Sequence, residues 1–126
     1  MNLALTLIVW MSVKHFIVDF PMQCSWMYKN KGTLFHMGGV VHALLHGIGT
    51  ALVIGLIGFG FKTIIMAACI DIVIHYFVDY AKININRKLK WTPVNTEYFW
   101  WLLGYDQLLH MLTYVYIISL VVKVPL

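Results

Sequence analysis

The sequence predicts an all-α integral membrane protein: a bundle of four transmembrane helices with antiparallel neighbours. Three observations predict it. Hydrophobic residues make up 61% of the 126 and charged residues only 11%, where a soluble domain carries about 25% charged residues. Such a chain cannot cover a water-facing surface. Four apolar segments each approach the roughly 20 residues that a spanning helix needs. Lys and Arg gather mostly in two loops, as membrane topology requires. This pattern excludes an ordinary soluble enzyme, a disordered chain, a collagen-like chain and a disulfide scaffold. The net charge of +4 is not a nucleic-acid patch, because the cations sit in loops.

Residues 1–126 read as one membrane domain. Span one covers residues 2–20. It has no basic residue near Met1 and no clear small-residue cleavage site, and it carries His15 and Asp19, so it reads as a span rather than a discarded leader. The following loop holds Lys29 and Lys31. Span two covers residues 36–61 and span three 63–81. The third loop, residues 82–91, holds Lys82, Arg87, Lys88 and Lys90 and reads as a segment lying on anionic lipid. Pro93 breaks any helix before span four, residues 97–122. Apolar runs of this length are helices, because hydrocarbon leaves backbone groups no outside partner.

Four spans put both basic loops on one side. The positive-inside rule makes that side cytoplasmic and both termini external. Trp26, Trp91, Trp100 and Trp101 fall at the same side, where amphipathic rings favour the head groups. Lipids with anionic head groups are the expected partners. Gly39, Ala43, Gly47, Ala51 and Gly55 form a small-residue stripe on span two, suited to a second copy of the chain or to packing within one chain. Cys24 and Cys69 have no CxxC partner, and no disulfide is expected.

The chemistry lies in polar residues inside the spans. Asp and His recur four apart: His15 with Asp19, His42 with His46, Asp71 with His75, His75 with Asp79, and Asp106 with His110. Only His36 stands alone. Residues at i and i+4 share one helix face, one turn apart, so both side chains can aim at one object. On span three, Asp71, His75, Asp79 and Lys82 fall within about 80° of one another at 100° per residue. Alternating helix direction brings the pairs of spans one, two and three to the same depth. Asp106 and His110 lie deeper on span four.

One buried pair is more often structural than functional, because polar contacts ordinarily hold membrane helices together. Ionisable groups on all four spans are costly and mark a site. Imidazole and carboxylate are ligands for zinc, manganese and iron, and facing helices with inward pairs can build a one- or two-metal centre. The candidate ligands are His15, Asp19, His42, His46, Asp71, His75, Asp79, Asp106 and His110. Asp71 is also a candidate to orient His75 from behind, and Gln23 and Gln107 to support the ligands. Asp106, Asp79 and Lys82 are the candidate catalytic residues: a carboxylate that is not a ligand as general base, and for the lysine, in order, pairing with Asp79, snorkelling to the head groups, or holding an anionic substrate. A metal-dependent hydrolase acting at head-group level is the expected function. The alternatives are a metal or proton transporter or relay, and a membrane interaction protein with a structural metal or polar core.

Four blocks carry a family resemblance. They are His15-x-x-x-Asp19-Phe20-Pro21-x-Gln23-x-x-Trp26-Met27-x-x-Asn30-Lys31, His42-x-x-x-His46, His75-x-x-x-Asp79-x-x-Lys82 and Asp106-Gln107-x-x-His110. In this order they resemble domain-of-unknown-function family 3307, small membrane proteins of bacteria and their phages, over nearly the whole chain. The resemblance brings no function with it. A fainter similarity, through HxxxD-type motifs, is to membrane-bound metal-dependent hydrolases, and a motif class does not establish a reaction. The third loop is short for those, with little room for a substrate domain.

Overall fold

The computed structural model describes residues 2–123 and is all-helical, with five helices and no strand among them. They are α1 (Leu3–Asp19), α2 (Ser25–Asn30), α3 (Met37–Ile57), α4 (Phe61–Leu89) and α5 (Tyr98–Val121). Of these, α3 and α4 are long and apolar enough to cross a membrane. α1 is shorter, at 17 residues, and Asp106, Gln107 and His110 dilute the apolar run of α5.

Local signals explain the boundaries. The Asn2 side chain caps α1 by accepting from the Ala4 N–H at 2.9 Å. The solitary His36 caps α3: its Nδ1 accepts from the Gly38 N–H at 3.0 Å. Span two was expected to run to residue 61, but α3 stops at Ile57 because Gly58 turns left-handed at φ 105°. That conformation costs glycine little. The chain then re-enters a helix at Phe61.

Two expectations for the basic end need correcting. The third loop does not begin at Lys82: α4 continues to Leu89, where Lys90 terminates it. The extra turns are supported from the side. Asn84 donates to the Gly32 carbonyl at 3.0 Å and Arg87 to the Lys29 carbonyl at 3.1 Å. The loop after α1 is not wholly a solvated basic loop either. It folds into α2, and Lys31 turns inward and is buried.

Helix contacts run α1–α3, α3–α4, α4–α5 and α5–α1, closing a ring, and α2 packs on α3. The small-residue stripe of α3 serves this ring. A methyl group on Gly47 would run into Ile72 and approach the Ala68 carbonyl, and one on Gly39 would meet Tyr76. Small residues thus let α4 approach closely.

The interior is layered along the bundle axis. At one end, Leu7, Met11, Ile54, Ile117 and Val121 form an apolar core. At the other, His15, Asp19, His42, His46, His75, Asp79, Asp106 and His110 are all buried. Between them lie Lys14, Thr50, Asp71 and Tyr114. The outside is apolar on all four long helices, as at Phe16, Leu52, Phe77 and Leu112. Polar groups inside and apolar groups outside invert the usual arrangement of a soluble protein.

Candidate metal centre

Each helix delivers its polar residues at the same level. His15 and Asp19 close α1, His42 and His46 open α3, His75 and Asp79 lie at and just past the middle of α4, and Asp106 and His110 lie near the middle of α5. They meet only because successive long helices reverse direction. Asp106 and His110 join the others despite their greater depth along the sequence. Lys82 donates to Asp106 at 2.9 Å, and His110 Nε2 lies 3.6 Å from Asp79.

The tightest constellation is Asp19, His42, His46 and His75. Asp19 Oδ1 lies 3.0 Å from His42 Nε2, 3.1 Å from His46 Nε2 and 3.7 Å from His75 Nε2. The Nε2 atoms of His42 and His75 are 3.2 Å apart. A tetrahedral ion with bonds of about 2.0–2.1 Å separates its ligand atoms by about 3.3–3.4 Å. These four separations, 3.0–3.7 Å, bracket that value, and all four donors lie within 4.8 Å of one another. A second constellation, His75, Asp79 and His110, adjoins the first. Asp79 Oδ2 is 3.4 Å from both His42 Nε2 and His75 Nε2. His110 Nε2 and Asp106 Oδ1 stand 3.4 Å apart, and neither has a hydrogen-bond partner.

Lysines divide the four carboxylates. Lys14 Nζ lies 2.6 Å from Asp71, Lys31 Nζ 2.6 Å from Asp79 and Lys82 Nζ 2.9 Å from Asp106. Among these buried pairs, Asp19 alone has no lysine. Asp71 does not reach His75: Lys14 and the Thr50 hydroxyl hold it one layer down, away from both constellations.

His15 stands beside the cage as a holder. Lys14 donates to the Tyr114 oxygen at 3.1 Å, which directs the Tyr114 hydroxyl toward His15 Nδ1 at 2.8 Å. The His15 proton is then on Nε2, which faces Asp19 Oδ2 at 3.1 Å and Gln107 Oε1 at 3.0 Å. This tautomer follows from the network. It leaves Asp19 Oδ1 for the three other imidazoles. The two glutamines differ: Gln107 meets carboxylate side chains, whereas Gln23 meets only backbone. Gln107 donates to Asp106 at 3.1 Å, and Gln23 donates to the Asp19 carbonyl at 2.6 Å.

The expected candidates thus gather in one centre, except Asp71, which anchors the layer below. Lys14, Lys31, Thr50 and Tyr114 belong to the network but were not among the candidates. Thr50 and Tyr114 were detectable, since each follows a candidate histidine by four, His46 and His110. Lys14 was detectable as a cation inside a span, which needs a partner. The inward turn of Lys31 had no such signal.

A polar cleft of about 310 Å³ opens over the centre, lined by Asp19, Gln23, Lys31, Lys82, Asn86 and Gln107 among others. A family described as "Protein of unknown function (DUF3307)" matches residues 7–125. The chain belongs to that family. The match contains every member of the centre, from His15 to Tyr114. No curated protein and no solved structure matches.

Proposed function

We propose that this protein is a membrane-embedded, metal-dependent hydrolase with its site at the cytoplasmic head-group level. In this reading α1, α3, α4 and α5 all span the bilayer. The apolar outer faces of all four support that, and Lys29, Arg87, Lys88 and Lys90 mark the cytoplasmic end.

The observation that carries the reading is the spacing of Asp19, His42, His46 and His75. Three imidazoles and a carboxylate suit zinc, and manganese or iron would use the same donors. One ion is enough: lysines neutralise Asp71, Asp79 and Asp106, leaving only Asp19 in excess. With Asp19, His42, His46 and His75 holding such an ion, a water would have to join as a further ligand, as zinc allows; its pKa would then fall and the scissile bond would be polarised.

The chain's own groups do the rest. Asp79, beside the cage, takes the proton from water as the oxygen adds to the ester centre. His110 and Asp106 continue from Asp79 toward Lys82 and return a proton to the departing alcohol oxygen. Lys82 holds the anionic part of the substrate. Water is consumed, one ester bond breaks, and acid and alcohol leave.

A second reading has an observation of its own. Four donors from the chain close a cage, as structural metals require, and such an ion would pin α1, α3 and α4 together. A transport path has less support, because Leu7, Met11, Ile54, Ile117 and Val121 fill the bundle beyond Asp71.

The test is metal content per chain in mild detergent, for the natural protein and for His42→Ala/His46→Ala. The hydrolase reading expects one zinc, manganese or iron per chain, lost in the variant. It also expects the chelated protein to keep its helicity and melting behaviour. Unfolding on chelation would favour the structural ion. A folded protein that takes up no metal would overturn both.

A further inference from the structure

A second cavity bears on what the site would act upon. It is a groove of about 500 Å³ between α4 and α5, open to the side of the bundle. Val78, Ala81, Ile85, Leu102 and Leu109 line it, and Lys82 and Asp106 stand at its polar end. Lys82 also lines the polar cleft above Asp19. One ammonium therefore sits where an apolar lateral groove meets a polar cleft. Its side chain is 15% exposed, against 8% or less for Lys14, Asp19, Lys31, Asp71, Asp79 and Asp106. Among these charged groups of the centre it is the most accessible.

We infer that the substrate is a chain-bearing amphiphile with an anionic head, which enters sideways between α4 and α5. The inference rests on the hydrolase reading and names its substrate class. The apolar chain lies along the groove, and the head stops at Lys82, facing Asp19 across the cleft. Lys82 directs two of its three N–H groups at Asp106, 2.9 Å away, and Asp79, 3.5 Å away; the third is left for the head, and a phosphate or carboxylate accepts it more strongly than a neutral group. The groove contributes position more than affinity, because a chain leaving the bilayer exchanges one hydrocarbon surrounding for another. Holding the head beside the donors is the gain.

The test uses the full chain in phosphatidylcholine nanodiscs with dodecyl phosphate carrying a diazirine in its chain. Photolabelling is expected to concentrate on Val78, Ala81, Ile85, Leu102 and Leu109. Excess unlabelled dodecyl phosphate should remove it, and dodecanol should not. Lys82→Gln should abolish the concentrated label. Ala81→Trp, which fills the groove and keeps Lys82 and Asp106 in the chain, should displace it even if Lys82→Gln misfolds. Label spread evenly over every outward face, or unchanged in both variants, would overturn the inference. Removal of the label by inorganic phosphate at equal concentration would assign a soluble anion instead and overturn the lipid source. Zinc content of the same samples separates the two readings. Zinc with even labelling defeats the amphiphile alone. Concentrated labelling without any metal uptake defeats the hydrolase and leaves an amphiphile site.

Discussion

Asp19 and Asp71 are both buried aspartates inside the same bundle, about one helical layer apart, and they are satisfied in opposite ways. Asp71 has a lysine ammonium at 2.6 Å and a threonine hydroxyl donating to it. Asp19 has only imidazoles and Gln107 around its carboxylate, with no ammonium in contact. A carboxylate with its own lysine is electrically complete and serves to join helices. One surrounded by imidazole nitrogens instead stands among donors that could hold a cation with it. Charge bookkeeping, more than residue type, separates the structural layer from the candidate metal layer.

The strongest way to break this comparison is to strand the lysine. Asp71→Ala leaves Lys14 as an uncompensated buried charge, and removing one partner of such a pair costs about 3–5 kcal/mol. Unfolding in mixed micelles should show that loss. Lys14→Met/Asp71→Leu, which removes both charges, should recover most of it and keep the bound metal. A double variant no more stable than the single one would show that the pair is not what holds this layer.

Asp19→Asn tests the other side. It keeps the size of the side chain and strands no lysine, so stability should change far less than in Asp71→Ala. Metal affinity should fall by more than the roughly 10–100-fold typical of losing a supporting residue. Retained metal at natural affinity would remove Asp19 from the ligand set.

Packing between the two layers gives a smaller effect. Gly47→Ala pushes a methyl group into Ile72 on α4, and overpacking of this kind costs about 1–3 kcal/mol. The loss should appear in unfolding, with α3 and α4 opening first in hydrogen exchange. A chain whose Gly47→Ala variant dissociates from a dimer instead would place the stripe at an interface between copies.

Much of this was legible in the sequence, for a physical reason. Four-residue spacing is a property of one helix, so His42 with His46, or Asp106 with His110, announces a shared face before any fold is known. Alternation of direction then places the pairs at one end. The partners of those pairs were less legible. Lys31 lies outside the long helices, and only the folding of α2 against α3 and α4 carries it to Asp79. Lys82 looked like the edge of a loop, but α4 runs on to Leu89 because Asn84 and Arg87 find backbone partners in the segment after α1. Such tertiary events leave no periodicity behind. The charge count read from aspartates alone allowed two metals; the inward lysines leave Asp19 as the one carboxylate of the four without an ammonium beside it.

The finest test joins the layers through Tyr114. Its hydroxyl takes a hydrogen bond from Lys14 and passes one to His15 Nδ1, which fixes the His15 proton on the nitrogen facing Asp19. Tyr114→Phe removes that relay while keeping the ring that packs in the core. His15 can then move its proton to Nδ1 and present a bare Nε2 to the carboxylate, so Asp19 loses one of its holders. Second-layer changes at metal sites commonly cost about 10–100-fold in affinity. This one acts through an intervening histidine, so about tenfold is expected, with stability nearly unchanged. Histidine nitrogen chemical shifts should show His15 changing tautomer while His42 and His46 keep theirs. An unchanged His15 tautomer would mean that Gln107 and Asp19 alone set it, and the lysine layer would then support the metal layer by packing rather than by hydrogen bonds.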